Sequence, residues 1–538
     1  MKYIFVSGGV ISGIGKGIAT ASIALLLKAA GFKVVPVKMD PYLNVDAGTM
    51  NPLAHGETFV LDDGRETDQD LGHYERYLNE SLTSSSINTQ GSIYLSVIQK
   101  ERNLEYDGDY VDIHNVTQEI LKRIQDAGRN KNADIVLVEI GGTAGEYQNM
   151  LFLEANRLMK LKKHNDVIHV HISYLPIPST LGEMKSKPVQ MSVRDLNSVG
   201  IQPDIILARA EVPIDAPRRK RLAMNTGIEE QDVIAAPDVE SIYDVPLDYE
   251  KQNLTDRILE KLELTRKQID LKEWREFVDK AHNAKTPVKI AIVGKYFTSG
   301  AGVLTDSYIS VIEACKHAAY QFGLKPEIHW VDSGKVLEKP QLLENYQGII
   351  VPGGFGGRDT EGKIAAAKYC RENKIPYLGL CYGMQMMAIE FARHVLGYKN
   401  ANSTEIDPHT KYPVIHIMPD QEKKVLAQDY GGTMRLGAWE CDLKAGSLIR
   451  KLYGKPKVFE RHRHRYEVNN KYRPEFEKNG LNIVGTSPDG KLVEIMEVEG
   501  HPFMAGSQFH PELKSRPLAP HPMFLGFIEA ASKIEVVK

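Results

Sequence analysis

Tyr3-Ile4-Phe5-Val6-Ser7-Gly8-Gly9-Val10-Ile11-Ser12-Gly13-Ile14-Gly15-Lys16-Gly17 decides the fold of the first half of this chain. Tyr3–Ser7 is a short continuous run without polar alternation, which predicts a strand buried on both faces. A glycine cluster follows, then Lys16 and a helical run. Glycines let backbone N–H groups approach phosphate oxygens, and a helix N-terminus adds a positive dipole. Lys16 is suited to neutralise the β- and γ-phosphates. Five residues rather than four separate Gly9 from Gly15-Lys16, and Gly17 stands where a Ser or Thr commonly ligates magnesium. Magnesium then needs other oxygen ligands. Glu139 closes the apolar run Ile135–Val138, and a carboxylate at a strand's C-terminal end faces the ligand crevice. Asp70, in Asp68-Gln69-Asp70-Leu71-Gly72-His73-Tyr74-Glu75, is the second candidate.

Further strands are predicted at Lys33–Met39, Ile135–Ile140, Val167–Ser173 and Asp204–Ala208, with helical stretches between them. That alternation implies βαβ units and a mostly parallel sheet. A charged stretch follows, and Pro287 precedes a new strand at Lys289–Val293. A second α/β series has strands near Ile328–Val331, Gly348–Val351 and Pro376–Leu380, and Val484–Gln508 reads as strand-rich. The expected organisation is 1–265 as a first domain, 266–288 as linker and 289–538 as a second domain. A chain of 538 residues is too long for one core. The net charge of −3 offers no global attraction to nucleic acid or an anionic membrane. No apolar run approaches the ~20 residues of a membrane helix, and the N-terminus has no signal-peptide pattern. A cytoplasmic protein is expected. Its four cysteines form no CxxC pair and are expected as thiols.

In the second half, Gly379-Leu380-Cys381-Tyr382-Gly383-Met384-Gln385 joins an apolar strand to a helix. A nucleophile on such a turn is exposed above the sheet, and glycines two residues to either side leave room for the backbone. The helix N-terminus favours a thiolate. Downstream, Gln508-Phe509-His510-Pro511-Glu512 puts a base and a carboxylate two residues apart. A cysteine nucleophile needs such a base, and the base an orienting carboxylate. Val351-Pro352-Gly353-Gly354-Phe355-Gly356-Gly357 reads as a strand-end loop offering N–H groups to an oxyanion. Together these resemble the class I glutamine amidotransferases over about 289–535. The resemblance implies that Cys381 attacks the glutamine amide carbon, His510 shuttles the proton, Glu512 orients His510 and Gly354 helps hold the oxyanion. Tyr382 stands where many members carry leucine; the backbone N–H there is what the intermediate needs.

Along nearly its full length the chain resembles the CTP synthases. The resemblance is carried by Ser7–Val10, Asp40–Asp46, His55–Glu57, Asp70–Arg76, Val138–Thr143, Gly432–Gly437 and Glu460–Asn469. It implies a P-loop-like, mostly parallel amidoligase domain followed by a glutaminase α/β domain. It further implies ATP-driven phosphorylation of the uracil 4-oxygen of UTP, and displacement of that phosphate by ammonia that reaches it through an internal channel. By the same resemblance, Gly13, Ile14, Gly15, Lys16, Gly17 and Ile18 hold ATP, with Asp238 and Val239 at adenine and Asp70 and Glu139 on Mg²⁺. Ser12, Glu146, Tyr147, Gln148, Lys185, Ser186, Lys187, Pro188, Val189, Gln190 and Arg221 contact UTP or the inhibitor CTP. Gly354, Tyr382, Gly383, Met384 and Gln385 line the glutamine site, where Glu405 and Arg465 match the substrate's ammonium and carboxylate. GTP activation, a homotetramer and filaments are further family expectations, and Arg435 is a candidate lid residue. Gln148 replaces a usual glutamate, Arg221 a usual lysine and Gly13 a common serine, which bears on CTP feedback more than on the reaction. Two alternatives fit the motifs less fully: another glutamine-dependent amidoligase, and a P-loop ATPase switch carrying a glutaminase-like module.

Overall fold

The computed structural model describes residues 1–51, 55–180, 182–267, 270–294, 298–299, 302–303, 305–357, 359–417 and 434–535. The chain forms two compact units, one of Met1–Ala47 with Asp70–Val278 and one of Gly48–Gln69 with Asp279–Lys538. The passage at Val278–Asp279 falls inside the stretch expected as linker. Gly48–Gln69 lies among the first 265 residues of the sequence yet clusters with the second unit.

The first unit is built on seven parallel strands: β1 (Lys2–Gly9), β2 (Val34–Asp40), β3 (Ile87–Thr89), β4 (Ile135–Ile140), β5 (Val167–Tyr174), β6 (Ile205–Ala210) and β7 (Val233–Pro237). Their order across the sheet is β3-β2-β4-β1-β5-β6-β7, and every pairing is parallel. β2 and β4 are buried at every residue, which is why they read as continuous apolar runs rather than alternating ones. β1 lies between β4 and β5, so its carboxyl end opens at the centre of the sheet. Ligands of open α/β sheets bind beyond that end. There the glycine turn enters helix α1 (Lys16–Ala29), with Gly15 at φ 91° as the residue before it.

The second unit has nine strands in its main sheet: β8 (Thr286–Gly294), β9 (Leu324–Asp332), β10 (Gly348–Val351), β11 (Tyr377–Leu380), β12 (Arg435–Leu443), β13 (Lys457–His464), β14 (Leu481–Thr486), β15 (Val493–Val498) and β16 (Met504–Ser507). Their order is β9-β8-β10-β11-β16-β15-β14-β12-β13. The first five are parallel to their neighbours and the remainder pair antiparallel. Two apolar clusters fill the space above and below this sheet. Arg435, expected in a loop over the site, instead starts β12 and is buried against Glu494, Nη1 to Oε1 2.7 Å. No described helix is long and apolar enough to cross a membrane.

Candidate active sites

In the second unit β11 ends at Leu380, and helix α2 (Tyr382–His394) begins one residue later. Cys381 makes the turn at φ 50°, ψ −98°, a conformation non-glycine residues adopt at an energetic cost and that clusters at functional sites. Its backbone N–H donates to Ser507 O at 2.7 Å. The neighbouring glycines are forced by close approach: a Cβ on Gly383 would stand 2.0 Å from Val351 O, and one on Gly379 2.7 Å from the Gly383 carbonyl carbon. Gly383→Ala must therefore shift backbone rather than a flexible side chain. A loss of about 2 kcal/mol is expected, read as a fall of about 5 °C in melting temperature.

His510 Nδ1 and Glu512 Oε1 are 2.7 Å apart. Burial by itself would push the His510 imidazole down. The carboxylate of Glu512 and the sulfur of Cys381 outweigh it and hold His510 well above the usual histidine range. Its Nε2 is buried, and the ring lies within the field of the Cys381 sulfur. Gly353, Gly354, Cys381, Arg465, His510 and Glu512 line one cavity of about 430 Å³. Five of these were marked in the sequence, Gly354 and Arg465 for glutamine and Cys381, His510 and Glu512 for the hydrolytic chemistry. Tyr382, Gly383, Met384 and Gln385 are buried in the first turn of α2. The Tyr382 hydroxyl donates to Gly356 O at 2.7 Å, and Glu405 Oε1 accepts from the Gly356 N–H at 2.7 Å. Both tie the glycine loop in place.

The same cavity is walled by Gly48, Thr49, Met50, Glu57 and Thr58, residues no glutaminase motif points to. Gln508 was also missed as a site residue. Its Nε2 lies 3.7 Å from Cys381 Sγ, and its Oε1 accepts from Gln385 Nε2 at 3.3 Å. The signal available was its position two residues before His510, on the same side of an extended segment.

In the first unit the glycine turn carries Lys16, buried, with Nζ donating to Gly142 O at 2.8 Å. Burial pushes its ammonium below the usual lysine range, against the pull of Glu139. A Cβ on Gly17 would stand 2.0 Å from Asp70 Oδ1, so the absent hydroxyl at this position is replaced by a carboxylate pressed against the backbone. Asp70 and Glu139 converge on Lys38, which pairs with Asp70 and lies 2.7 Å from Glu139 Oε1 and 3.8 Å from Asp40 Oδ1. Tyr74 donates to Glu139. Burial raises Asp40 to about 6 and would raise Asp70 too, but Lys38 holds Asp70 below the usual carboxylate range. Among the described residues no group of three or more His, Cys, Asp or Glu side chains is arranged to hold a metal; Lys38 lies between the two carboxylates. Lys38 was legible in principle as a lysine inside the otherwise uncharged run Val34–Met39.

Ile14, Gly15, Ile18 and Val239 line a cavity of about 180 Å³ with Ala235–Pro237 and Tyr249. Asp238 pairs with Arg209 at 2.6 Å, an arginine that also lines this cavity and that the motifs did not mark. The pyrimidine-nucleotide candidates are gathered less tightly. Gln148 Nε2 donates to Glu146 Oε2 at 3.0 Å, and the Tyr147 side chain is exposed. Lys185 pairs with Glu183 at 2.7 Å, and Arg218 and Arg221 add to the field on that carboxyl. Ser186, Lys187 and Pro188 open the helix Lys187–Ser198, where Gln190 Nε2 reaches Ser186 Oγ at 3.3 Å. Val189 is buried in the core, so contact with a ligand there runs through its backbone. Ser12 and Gly13 lie in the exposed part of the glycine turn.

Residues 2–264 match the family described as CTP synthase N-terminus, and residues 303–530 match the class I glutamine amidotransferases. A CTP synthase of Caldanaerobacter subterraneus is 49% identical over 539 residues, covering 99% of each chain. One of Halalkalibacterium halodurans is 49% identical over 98% of this chain and 99% of its own. One of Bacillus subtilis is 47% identical over 98% of both. A solved CTP synthase glutaminase domain of Trypanosoma brucei, with acivicin bound, is 38% identical, matches 46% of this chain and 96% of its own, and has a TM-score of 0.43. The chain belongs to the CTP synthase family, ATP-dependent, glutamine-hydrolysing ligases that convert UTP to CTP in pyrimidine biosynthesis.

Proposed function

We propose that the second unit hydrolyses glutamine at Cys381, His510 and Glu512, and that the first unit uses the ammonia at the turn around Lys16. The observation that carries this reading is one cavity lined by Cys381, His510 and Glu512, in which His510 is held by Glu512 at 2.7 Å. Cys381 sulfur forms a bond to the carboxamide carbon of glutamine while N–H groups of the Gly354 loop and Tyr382 receive the oxyanion. The C–N bond breaks as His510 gives its proton to the leaving nitrogen, leaving a γ-glutamyl thioester. Water, giving a proton to His510, then releases glutamate and restores the thiol. Glu405 and Arg465 hold the amino-acid end of the substrate, with Gly383, Met384 and Gln385 shaping the wall.

On the first unit, Gly13 through Ile18 hold the phosphates of ATP, and Val239, Asp238, Arg209 and Tyr249 form the adenine side. UTP lies against Ser12, Glu146–Gln148, Lys185–Gln190 and Arg221. Lys16 steadies charge on the transferred phosphoryl group, the uracil 4-oxygen accepts that group, and ammonia displaces it from C4. Asp70 and Glu139 are the residues to hold Mg²⁺ with ATP. The donor set fits: these are hard oxygen donors, and the neighbouring Asp40 keeps Oδ2 buried with no hydrogen bond among the described residues. Bound magnesium would neutralise phosphate charge. GTP as activator and a homotetramer able to form filaments follow the family expectation.

The test is CTP formation from UTP, ATP and Mg²⁺, once with glutamine and once with ammonium. CTP from both supports the coupled scheme. CTP from ammonium alone removes the hydrolytic half, and glutamine hydrolysis with no CTP from either source removes UTP as acceptor. For feedback, Gln148→Glu is expected to tighten CTP inhibition several-fold, measured as the CTP concentration for half-inhibition. An unchanged value would separate Gln148 from the CTP site.

A further inference from the structure

Within the second unit, Phe59–Val60 and Glu66–Thr67 form a small antiparallel hairpin, and two of its acidic residues, Asp62 and Glu66, grip β13. Asp62 Oδ1 accepts from Arg461 Nε at 2.6 Å, with Lys514 Nζ also 3.8 Å away. The Asp62 carbonyl accepts from the Ala438 N–H at 2.9 Å. Glu66 Oε1 accepts from Arg463 Nε at 2.7 Å, and Arg463 Nη2 donates to Gly48 O at 3.2 Å. Arg461 and Glu66 are buried. β13 is the last strand of the main sheet, paired with β12, and side chains from the hairpin hold it from outside that pairing.

The same two arginine positions meet the hydrolytic site. The His510 backbone N–H donates to Arg461 O at 2.8 Å. Arg461 Nη1 donates to the carbonyl of Leu513, next to Glu512, at 3.3 Å. Cys381 Sγ lies 3.9 Å from Arg463 O, and the Arg463 guanidinium stands 5.2 Å from the centre of the Phe355 ring, next to Gly354. One short edge strand therefore touches the nucleophile, the base, the segment of the orienting carboxylate and the oxyanion loop.

We propose that Asp62 and Glu66 are positioning residues for glutamine hydrolysis, acting through Arg461 and Arg463 to fix the strand on which Cys381 and His510 rest. This builds on the reading of Cys381, His510 and Glu512 as the hydrolytic site. A buried guanidinium that loses its carboxylate turns toward water or other acceptors, and displacement of a reacting group by about 1 Å can cost about 100-fold in rate.

The experiment uses the full chain with Asp62→Ala, Glu66→Ala and their double variant, alongside Asp62→Asn and Glu66→Gln, which keep an acceptor oxygen. Glutamate release, ammonium-dependent CTP formation and melting temperature are measured. Each alanine variant is expected to lower kcat for glutamate release by about tenfold or more with a smaller change in KM. Ammonium-dependent synthesis is retained, and the amide variants recover part of the rate. Parental glutamate release by the double variant, with Cys381→Ala inactive, overturns the positioning role alone. So does a parallel loss of glutamate release, ammonium-dependent synthesis and melting temperature in the alanine and amide variants alike. Glutamate release by Cys381→Ala would remove the site reading and the proposal with it.

Discussion

Cys381→Ala is expected to abolish CTP formation from glutamine, by at least about 10⁴-fold, while CTP formation from ammonium continues. In the proposed mechanism its sulfur bonds to substrate, and the described residues offer no second thiol at the cavity. Cys315, Cys370 and Cys441 are buried in the apolar cores, and burial pushes each of their thiols up. Alanine fits at position 381 because the new residue is smaller and the backbone hydrogen bond to Ser507 is kept. The check is paired: glutamate release and CTP formation with glutamine, then CTP formation with ammonium. Loss of both syntheses together would mean that Cys381 serves the fold or the synthetase rather than hydrolysis.

Lys16→Ala is expected to remove synthesis from either nitrogen source, because both need the phosphoryl transfer. The ammonium group is buried, held at 2.8 Å by Gly142 O, and surrounded by the field of Glu139, Asp70 and Asp40. Its charge is already set in place before ATP arrives, so it needs no reorganisation when charge moves onto the transferred group. A loss of about 10²–10³-fold in kcat is expected for one such group. Lys16→Met keeps the buried stem and should fall as far, which separates lost charge from lost packing. Glutamate release should persist in both. Parental synthesis from ammonium in Lys16→Met would reassign the phosphate site.

Five of the seven parallel strands of the first unit, the parallel strands of the second and the glycine-flanked turn at Cys381 were legible in the sequence because each rests on short-range physics, whereas β3 and β7 were not marked. A strand buried on both faces leaves a continuous apolar run, as in β2 and β4. A nucleophile on a strand-to-helix turn needs small neighbours, and Gly379 and Gly383 are small because Val351 O and the turn itself leave no room. β12 and β13 were not legible. Their buried positions include Arg435, Glu460, Arg461, His462 and His464, so no apolar alternation marks them, and Arg461–Arg465 reads as a basic run. Those polar side chains tolerate burial only because partners distant in sequence, such as Asp62 and Glu494, meet them.

The sequence by itself determined most of the parallel core of the two sheets, the glycine turn that leads into Lys16 and the strand-to-helix turn at Cys381, since these depend on spacing along the chain. Only the tertiary structure decided that Lys38 stands between Asp70 and Glu139, that Arg209 joins the cavity of Ile14, Gly15 and Val239, and that residues of Gly48–Gln69 wall the cavity of Cys381 and His510 and grip β13. Each of these is a pairing of charges or a close approach between residues far apart in sequence. Such pairings are selected by which buried groups find a partner once the chain has folded, and nothing in local periodicity records that choice.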